Sequence, residues 1–506
     1  MVKSSPSKKT PSEFSPETRR DALQELHSLL FDIVVIGGGI TGAGVARDAA
    51  LRGFKTALIE KTDFAAGTSS KSSKLIHGGF RYLKNLELGM VRESLQERKV
   101  LMKLAPHLVR RMKCLLPIYE NSSEPPFLIN MGLWVYDLLA FPKNIGRHRM
   151  VEVEEIHRRA PLIRTEGFRK GAEYYDAQAD DFRLVMVTVQ SAAQSGAVVA
   201  NYCKAEDIIV KNGNITGILA RDQLTGEEVA VRARTVVNAT GPWSDQVRKA
   251  LVQQGKQKVR TTKGIHLILR REDLPIPWAF MQFAVQDGRP IFAVPWKRFL
   301  LVGTTDTDYE GDMDYIAAER SEVDYLLDSF NYYFPQANLT DDNIISTFAG
   351  LRPLTFEEGK TASAVTREHL IFEAPRNFFS IIGGKFTTHR VMAQEITDQV
   401  SRRLAETFER VPPNPRCITN RVPLTGGEIP DYPRFQEEWK EKLERKYHLP
   451  EDMADHFMET YGSEIPRFLD VALATADGLD RIHPDLPHVW GELTSPFKVV
   501  LLKWAK

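Results

Sequence analysis

A glycine-rich turn between two short apolar runs constrains the fold of this chain more than any other feature. The first run, Phe31–Ile36, enters Gly37-Gly38-Gly39-Ile40-Thr41-Gly42, a helical segment follows to Arg52, and the second run is Lys55–Ile59. A strand before the glycines and a helix after them is the context in which such a turn binds a dinucleotide. The pattern predicts a βαβ unit.

The glycines and one acid of this unit suit a nucleotide cofactor. Gly37 allows the tight turn, Gly39 lets the backbone approach a pyrophosphate, and Gly42 lets the helix pack closely on the strand. Glu60, which ends the second run, can accept hydrogen bonds from a ribose diol and would repel a 2′-phosphate. The unit therefore favours FAD or NAD over NADP.

A serine-rich loop directly downstream favours FAD. Residues 69–83 read Ser-Ser-Lys-Ser-Ser-Lys-Leu-Ile-His-Gly-Gly-Phe-Arg-Tyr-Leu. Gly78 and Gly79 allow the backbone to lie against a flat ring, and His77 lies beside them. The loop also supplies hydroxyl donors for a diphosphate and a ribityl chain, from Thr68, Ser69, Ser70, Ser72 and Ser73.

Two further glycine turns follow apolar strands. Asn238-Ala239-Thr240-Gly241 ends the run Thr235–Ala239, and Gly383-Gly384-Lys385 ends the run Phe378–Ile382. Each alone could be an ordinary turn, but three strand-to-glycine turns are what a long cofactor needs. We expect Gly241, Gly384 and Lys385 to face it.

Composition excludes several classes of function. The chain has 506 residues and a net charge of +1, which gives no electrostatic basis for binding nucleic acid. Cys114, Cys203 and Cys417 lack the close spacing of a disulfide framework or a zinc site, and we expect no metal.

The order of predicted elements indicates an α/β fold with two interleaved parts. We expect a tail and helix at 1–30, an oxidoreductase body at 31–410 and a helical C-terminal domain at 411–506, entered through a proline-rich linker. Within the body, FAD-binding segments at about 31–105, 180–260 and 345–410 alternate with substrate-domain segments at about 106–179 and 261–344.

One segment is apolar enough to raise the question of a membrane. Phe127–Phe141 is interrupted by Asn130 and Asp137, and it falls short of the roughly 20 residues that a spanning helix needs. We expect it to be part of the core. The alternative is that it rests on a bilayer.

Together, these motifs resemble the FAD-dependent, quinone-linked (aerobic) glycerol-3-phosphate dehydrogenases. The resemblance covers about Phe31 to Gly427 and is carried by Phe31–Leu83, Asp176-Ala177-Gln178, Asn238–Trp243, Lys263-Gly264-Ile265-His266, Gly303-Thr304-Thr305-Asp306, Ala349–Leu354 and Gly383–Arg390. It implies a glycine-oxidase-like fold, in which a Rossmann-type FAD-binding domain is interleaved with an antiparallel-sheet substrate domain and followed by a short C-terminal helical domain.

The resemblance also implies a reaction and a location. The family oxidises sn-glycerol 3-phosphate to dihydroxyacetone phosphate by hydride transfer to FAD, and passes the electrons to a membrane quinone. Such proteins are cytoplasmic and peripheral to the cytoplasmic face of the inner membrane, and a homodimer is one assembly to consider. The segment after Gly427 is shorter than the family's usual C-terminal domain, which puts docking and assembly in question more than chemistry.

Roles for individual residues follow from the matching motifs. Arg is suited to gripping phosphate, because its planar fork donates two parallel hydrogen bonds. His266 is the first choice for the base that accepts the substrate's hydroxyl proton, because the ordinary histidine pKa lies near working pH, and His77 is the alternative. The resemblance places at the substrate Arg81, Tyr82, Arg352 and Arg367, and beside the flavin Lys385, whose charge would stabilise the reduced ring.

Three other readings stay open. An oxidase would pass the electrons to oxygen, and a flavoenzyme of the same fold could act on an amine or amino acid. A non-catalytic flavoprotein is the third. Two departures from the family's pattern, His389 and Ile265, are small changes near the flavin motifs.

Overall fold

This computed structural model describes residues 15–83, 86–253, 256–359 and 368–494, with the side chains of Arg81 and Tyr82 outside the description. The helices are α1 Pro16–Ser28, α2 Ile40–Arg52, α3 Leu88–Leu104, α4 Pro126–Ala140, α5 Val153–Arg159, α6 Asp181–Gln194, α7 Ser244–Val252, α8 Arg320–Tyr333, α9 His389–Phe408, α10 Tyr432–Lys446, α11 Glu451–Tyr461, α12 Ile465–Ala472 and α13 Gly491–Thr494.

Eighteen strands accompany them. They are β1 Leu30–Ile36, β2 Thr56–Ile59, β3 Leu75–Ile76, β4 Val109–Tyr119, β5 Arg149–Val151, β6 Phe168–Ala179, β7 Val198–Ala200, β8 Cys203–Lys211, β9 Asn214–Asp222, β10 Glu228–Asn238, β11 Val259–Arg270, β12 Ala279–Phe283, β13 Pro290–Trp296, β14 Phe299–Gly303, β15 Thr307–Asp308, β16 Ile344–Thr355, β17 His369–Glu373 and β18 Phe378–Gly383.

The first sheet has eight strands in the order β17-β18-β10-β1-β2-β7, with β9 and β8 added beside β10. Strand β1 pairs in parallel with both β10 and β2, so the predicted βαβ unit is confirmed. Strand β1 is buried after its first residue, as expected for a central strand covered on both faces.

The glycine turn is tight because two of its residues leave no room for a side chain. Gly37 has φ +109°, and a Cβ on it would lie 2.7 Å from the Ala239 carbonyl oxygen. A Cβ on Gly42 would lie 1.9 Å from the Gly37 carbonyl oxygen. The predicted close packing of helix α2 on strand β1 therefore requires glycine at both positions.

The second sheet has ten strands in the order β15-β11-β14-β13-β12-β4-β6-β3, with β16 on β11 and β5 on β6. Most of its pairs are antiparallel, and β4 with β12 is parallel. Strands β3 and β16 belong to this sheet, although the sequence placed residues 31–105 and 345–410 in the FAD-binding part. The chain therefore crosses between the sheets more often than the predicted segments imply.

Helix α4 turns an apolar face to solvent. Its inner side buries Leu133, Tyr136 and Ala140. The expectation that the whole segment is core is wrong, because its other face exposes Phe127, Leu128, Met131, Trp134, Val135 and Leu138, with Phe141 directly after it. No helix within the described ranges is both long and apolar enough to cross a membrane.

The two polar residues within helix α4, Asn130 and Asp137, both contact His148. The His148 ring lies 2.8 Å from an Asp137 carboxylate oxygen and 3.1 Å from the Asn130 amide oxygen. Both side chains are thus satisfied within the protein.

The stretch after α9 is a strap that lies along helix α2, where its prolines predict a linker. Arg47 on helix α2 donates to the carbonyl oxygens of Thr419, at 3.2 Å, and Val422, at 2.6 Å. Leu424 is buried against the first sheet's core. Beyond the strap, helices α10 to α12 surround a separate apolar core.

Candidate active site

A cavity of about 1240 Å³ is lined by strands of the second sheet and by loops that follow strands of the first. The loop after β2 contributes residues from Thr68 to Phe80, and strands β11 and β16 contribute Gly264, His266 and Arg352. The turn after β18 closes another side with Gly384 and Lys385. The structure thus gathers four segments that are far apart in the sequence.

The predicted nucleotide site lies at the start of helix α2, outside the residues that line this cavity. The Ile40 amide donates to Ser69 Oγ at 3.0 Å, and that atom is the one neighbour, at 3.1 Å, of a Cβ built on Gly39. Gly39 therefore leaves space for a ligand against the helix N-terminus, where unpaired amides attract a phosphate. Glu60 ends strand β2 nearby and accepts hydrogen bonds from the amides of Gly38, at 2.8 Å, and Thr62, at 2.9 Å.

His266 sits at the substrate end, on strand β11. Its Nε2 lies 2.8 Å from Ser73 Oγ, its ring stacks on Phe348, and its buried Nδ1 has no hydrogen-bond partner among the described residues. Burial lowers the pKa of His266 to about 3, and the charges of Arg352 and Lys74 act in the same direction. The ring is therefore neutral, and its pKa lies well below the value near working pH that the sequence suggests.

Arg352 is held by one loop. Its guanidinium donates to Asp306 Oδ1 and Thr304 Oγ1, each at 2.9 Å, and to the Thr305 carbonyl oxygen at 3.0 Å. Glu322 on helix α8 accepts a hydrogen bond from Thr305 Oγ1 at 3.1 Å, which braces the loop. The side chain remains about a quarter exposed, at 26%, on the cavity wall.

Two glycines make room for these side chains. A Cβ on Gly264 would lie 2.4 Å from Arg352 Nη2, and a Cβ on Gly303 would lie 2.5 Å from His266 Cδ2. Both contacts are closer than any carbon can approach, so the glycines in these motifs keep space for the arginine and the histidine.

His77 and Lys385 also line the cavity, as predicted. The His77 amide lies 3.3 Å from Thr387 Oγ1, and Lys385 Nζ lies 3.5 Å from Ser94 Oγ. Gly79 lines the cavity with φ +74°. Gly78 does not, since its amide points to the Tyr136 hydroxyl at 3.0 Å and a Cβ on it would strike Leu95. The prediction that Gly78 faces the ring is replaced by a packing role.

The hydroxyl-bearing residues divide between several neighbours. Thr68 Oγ1 donates to the Leu351 carbonyl oxygen at 2.6 Å, and Ser70 lies in the same short turn. Ser73, which the sequence places on the FAD side, contacts His266 of the second sheet. Gly241 has φ +56°, and a Cβ on it would meet the Pro353 ring at 4.0 Å.

Three predicted residues cannot be placed. Arg367 lies outside the described residues, and so do the side chains of Arg81 and Tyr82, whose backbone forms a short 3₁₀ turn, Phe80–Leu83.

Sequence reasoning missed Asp306 and Thr304, although both stand in a quoted motif. The acid that ends the Gly303–Asp306 motif was the available signal for an ion pair that orients an arginine.

Family comparisons cover nearly the whole chain. The model described as FAD dependent oxidoreductase matches residues 32–399, and the model for the C-terminal domain of alpha-glycerophosphate oxidase matches residues 417–495. The aerobic glycerol-3-phosphate dehydrogenase of Staphylococcus saprophyticus is 37% identical over 457 residues, which are 90% of this chain and 82% of that protein. This chain belongs to the FAD-dependent glycerol-3-phosphate dehydrogenase family. The aerobic glycerol-3-phosphate dehydrogenase of Staphylococcus aureus is 39% identical to this chain, over 87% of this chain and 80% of that protein.

Solved structures support the same assignment. The glycerol-3-phosphate dehydrogenase from Bacillus halodurans, complexed with FAD, superposes with a TM-score of 0.78 and 31% identity, over 96% of this chain and 87% of that chain. Glycine oxidase from Geobacillus kaustophilus, at 20% identity, has a TM-score of 0.55 over 74% of this chain and 95% of its own. The predicted glycine-oxidase-like fold is confirmed, and the space at Gly39 fits the family's FAD.

The role of Gly39 can be separated from that of Gly42. Gly39→Val should fold but lower the flavin-to-protein ratio by about tenfold or more, because about 1.4 kcal/mol of lost contact is tenfold in affinity. The branched side chain fills the space at the helix N-terminus. Flavin absorbance and the unfolding temperature measure the two effects.

Gly42→Ala is the matched variant. Its Cβ would lie 1.9 Å from the Gly37 carbonyl oxygen, so we expect it to lower the stability of the fold itself. Full flavin content in Gly39→Val would contradict the assignment of Gly39 to the cofactor.

Proposed function

We propose that this protein oxidises sn-glycerol 3-phosphate to dihydroxyacetone phosphate and passes the electrons to a membrane quinone. The observation that carries the proposal is Arg352, whose guanidinium is fixed by three acceptors on the wall of a cavity that also contains His266 and Lys385. Relatives that share 37% and 39% identity carry the name of this activity.

A fixed arginine suits the phosphate end of the substrate. The guanidinium pairs with phosphate through parallel, charge-assisted hydrogen bonds, and prior orientation reduces the entropy that binding costs. Asp306 accepts from Nη1 and Thr304 from Nη2, and these two bonds supply that orientation. Arg81 and Arg367 are proposed to add further positive charge at the same end.

His266 is proposed to accept the proton of the C2 hydroxyl. FAD, when bound, supplies the acceptor for the C2 hydride. A neutral imidazole can take a proton, and Ser73 and Phe348 hold the ring in one orientation. Lys385 places a positive charge on the cofactor side, and His77 stays the alternative base.

Anaerobic reduction tests the substrate. Glycerol 3-phosphate should bleach the flavin of the purified holoprotein, whereas glycerol, which lacks the phosphate, should not. Stopped-flow absorbance measures the rate. An oxidised flavin after mixing would overturn the substrate assignment. Rapid oxygen uptake without quinone would instead assign the oxidase activity.

The space at Gly264 tests the phosphate contact. Gly264→Ala should raise KM for glycerol 3-phosphate by roughly 10- to 100-fold, because a hydrogen bond to a charged group contributes about 1.5–3 kcal/mol. The added Cβ displaces the guanidinium, which is the far end of a long side chain and not backbone. The fold and the flavin content should therefore persist.

Gly132→Ala on helix α4 is the control, since its Cβ would meet the Phe80 ring at an ordinary 3.4 Å. We expect its KM to stay unchanged. An unchanged KM in Gly264→Ala would remove Arg352 from phosphate binding.

The exposed face of α4 supports a peripheral membrane location on the cytoplasmic side. Six large apolar side chains of one helix face solvent, and monomeric proteins rarely expose contiguous apolar patches of this kind. A helix with one apolar face can lie in the headgroup region of a bilayer. Helix α4 also packs on Phe80, whose ring contacts Tyr136 edge-on and lines the cavity.

The acceptor is proposed to reach the cavity where helix α3 begins. Leu86 and Leu88 line the cavity there, and Leu86 is 79% exposed. A quinone that enters from lipid would thus meet apolar side chains on its way to the cofactor.

Charge on this face should separate docking from chemistry. Trp134→Glu combined with Leu138→Glu should abolish sedimentation with vesicles of phosphatidylethanolamine and phosphatidylglycerol, and should slow reduction of a lipid-embedded quinone. Turnover with a water-soluble dye should be retained. Leu224→Glu is the control, since Leu224 is 62% exposed on a hairpin of the first sheet. Equal sedimentation of both variants would exclude α4 as the docking face.

A further inference from the structure

A cluster of two histidines and one glutamate lies in the C-terminal domain. His456 is on helix α11, and His488 and Glu492 belong to the last described segment, around α13. One ring nitrogen of each histidine and one carboxylate oxygen lie within 4.8 Å of one another. His456 and Glu492 are buried and His488 is half-buried, so this is not a solvated surface group.

Hydrogen bonds hold two of the three side chains in place. Glu492 Oε1 lies 2.8 Å from His456 Nε2 and accepts the Tyr461 hydroxyl at 2.6 Å, while Glu492 Oε2 accepts the Val489 amide at 3.0 Å. His456 Nδ1 is 3.2 Å from Thr460 Oγ1. A histidine whose second nitrogen is bonded to the protein, with the first aimed at a carboxylate, has the arrangement of metal-bound histidines.

The third side chain, His488, has one ring nitrogen without a hydrogen-bond partner among the described residues. That nitrogen, Nδ1, is buried. The His488 ring lies beside the His456 ring, with centroids 4.4 Å apart. An unsatisfied buried nitrogen costs about 1–3 kcal/mol, and a bound group at this position would remove that cost.

We propose that His456, His488 and Glu492 bind a divalent transition metal of the zinc class. Two imidazole nitrogens and one carboxylate are a ligand set that Zn²⁺ accepts, and water can complete a tetrahedral shell. The ion would take the place of the proton between His456 and Glu492 and would use the unpartnered nitrogen of His488. The proposal replaces the expectation, drawn from cysteine spacing alone, that the chain binds no metal.

The site would join the segment around α13 to helix α11, which contacts the body. On helix α11, the Thr460 carbonyl oxygen accepts a hydrogen bond from Arg183 of α6 at 2.9 Å, and Glu459 forms an ion pair with Arg110 of β4. A metal between His456 and α13 would therefore stabilise a small domain whose own core is limited. This inference does not depend on the proposed substrate.

Zinc content tests the site directly. The full-length holoprotein, treated with a chelator and freed of it, should bind about one equivalent of Zn²⁺ in competition with a chromophoric chelator, and its unfolding temperature should rise. His488→Phe keeps the ring volume but removes the ligand atom, so zinc affinity should fall by about tenfold or more and the rise should vanish. X-ray absorption of the wild-type complex should show imidazole ligands.

The matched control is His483→Ala. This histidine lies in the same segment, and its side chain is 58% exposed beside Asp485. Its loss should leave zinc binding unchanged. A wild-type protein that binds no zinc, or a His483→Ala variant that loses as much affinity as His488→Phe, would overturn the proposal. The cluster would then be a hydrogen-bond network only. Flavin content checks that each variant is folded. If a variant does not fold, zinc binding by the wild-type protein decides whether the site exists.

Discussion

The antiparallel pairing of β11 with β16 is the constraint on which the substrate end of the structure depends. In this register, Thr262 pairs with Arg352, Gly264 with Gly350, and His266 with Phe348. On its other edge, β11 places His266 opposite Gly303 of β14. If one strand slipped by one residue against the other, Arg352 and His266 would lie on opposite faces of the sheet, because side chains alternate along a strand.

The loop after β2 runs from the nucleotide turn to the cavity. Its hydroxyls contact three different parts of the protein: Ser69 contacts the start of α2, Ser72 bonds to Asp181 on α6 at 2.7 Å, and Ser73 reaches His266 in the second sheet. A short polar segment thereby fixes the nucleotide end relative to the substrate end. Its composition alone would suit a solvated loop.

Local patterns predicted the local structure well. The βαβ unit follows from its two apolar runs and the glycines between them, and α1 begins where Ser15 caps it. What the sequence could not supply was set by distant contacts. The pKa of His266 depends first on burial and then on Arg352 and Lys74, and the packing role of Gly78 depends on Tyr136 and Leu95.

The same limit explains α4. Its apolar residues cover most of the helix surface, so composition could not tell which side would be buried. The position of the Phe80 turn and of His148 decides it, and both come from other segments. The candidate arginines were predicted through a resemblance, whereas Asp306 and the space at Gly264 became visible only in three dimensions.

The shared neighbourhood of His266 and Arg352 has an electrostatic consequence. After burial, the positive charge of Arg352 is the next cause that keeps the pKa of His266 low. A dianion bound to that guanidinium would offset the charge and move the pKa upward. The imidazole would thus be a stronger base with a phosphorylated substrate bound than with a polyol that lacks phosphate. Selectivity would then lie in the activation of the base as well as in affinity.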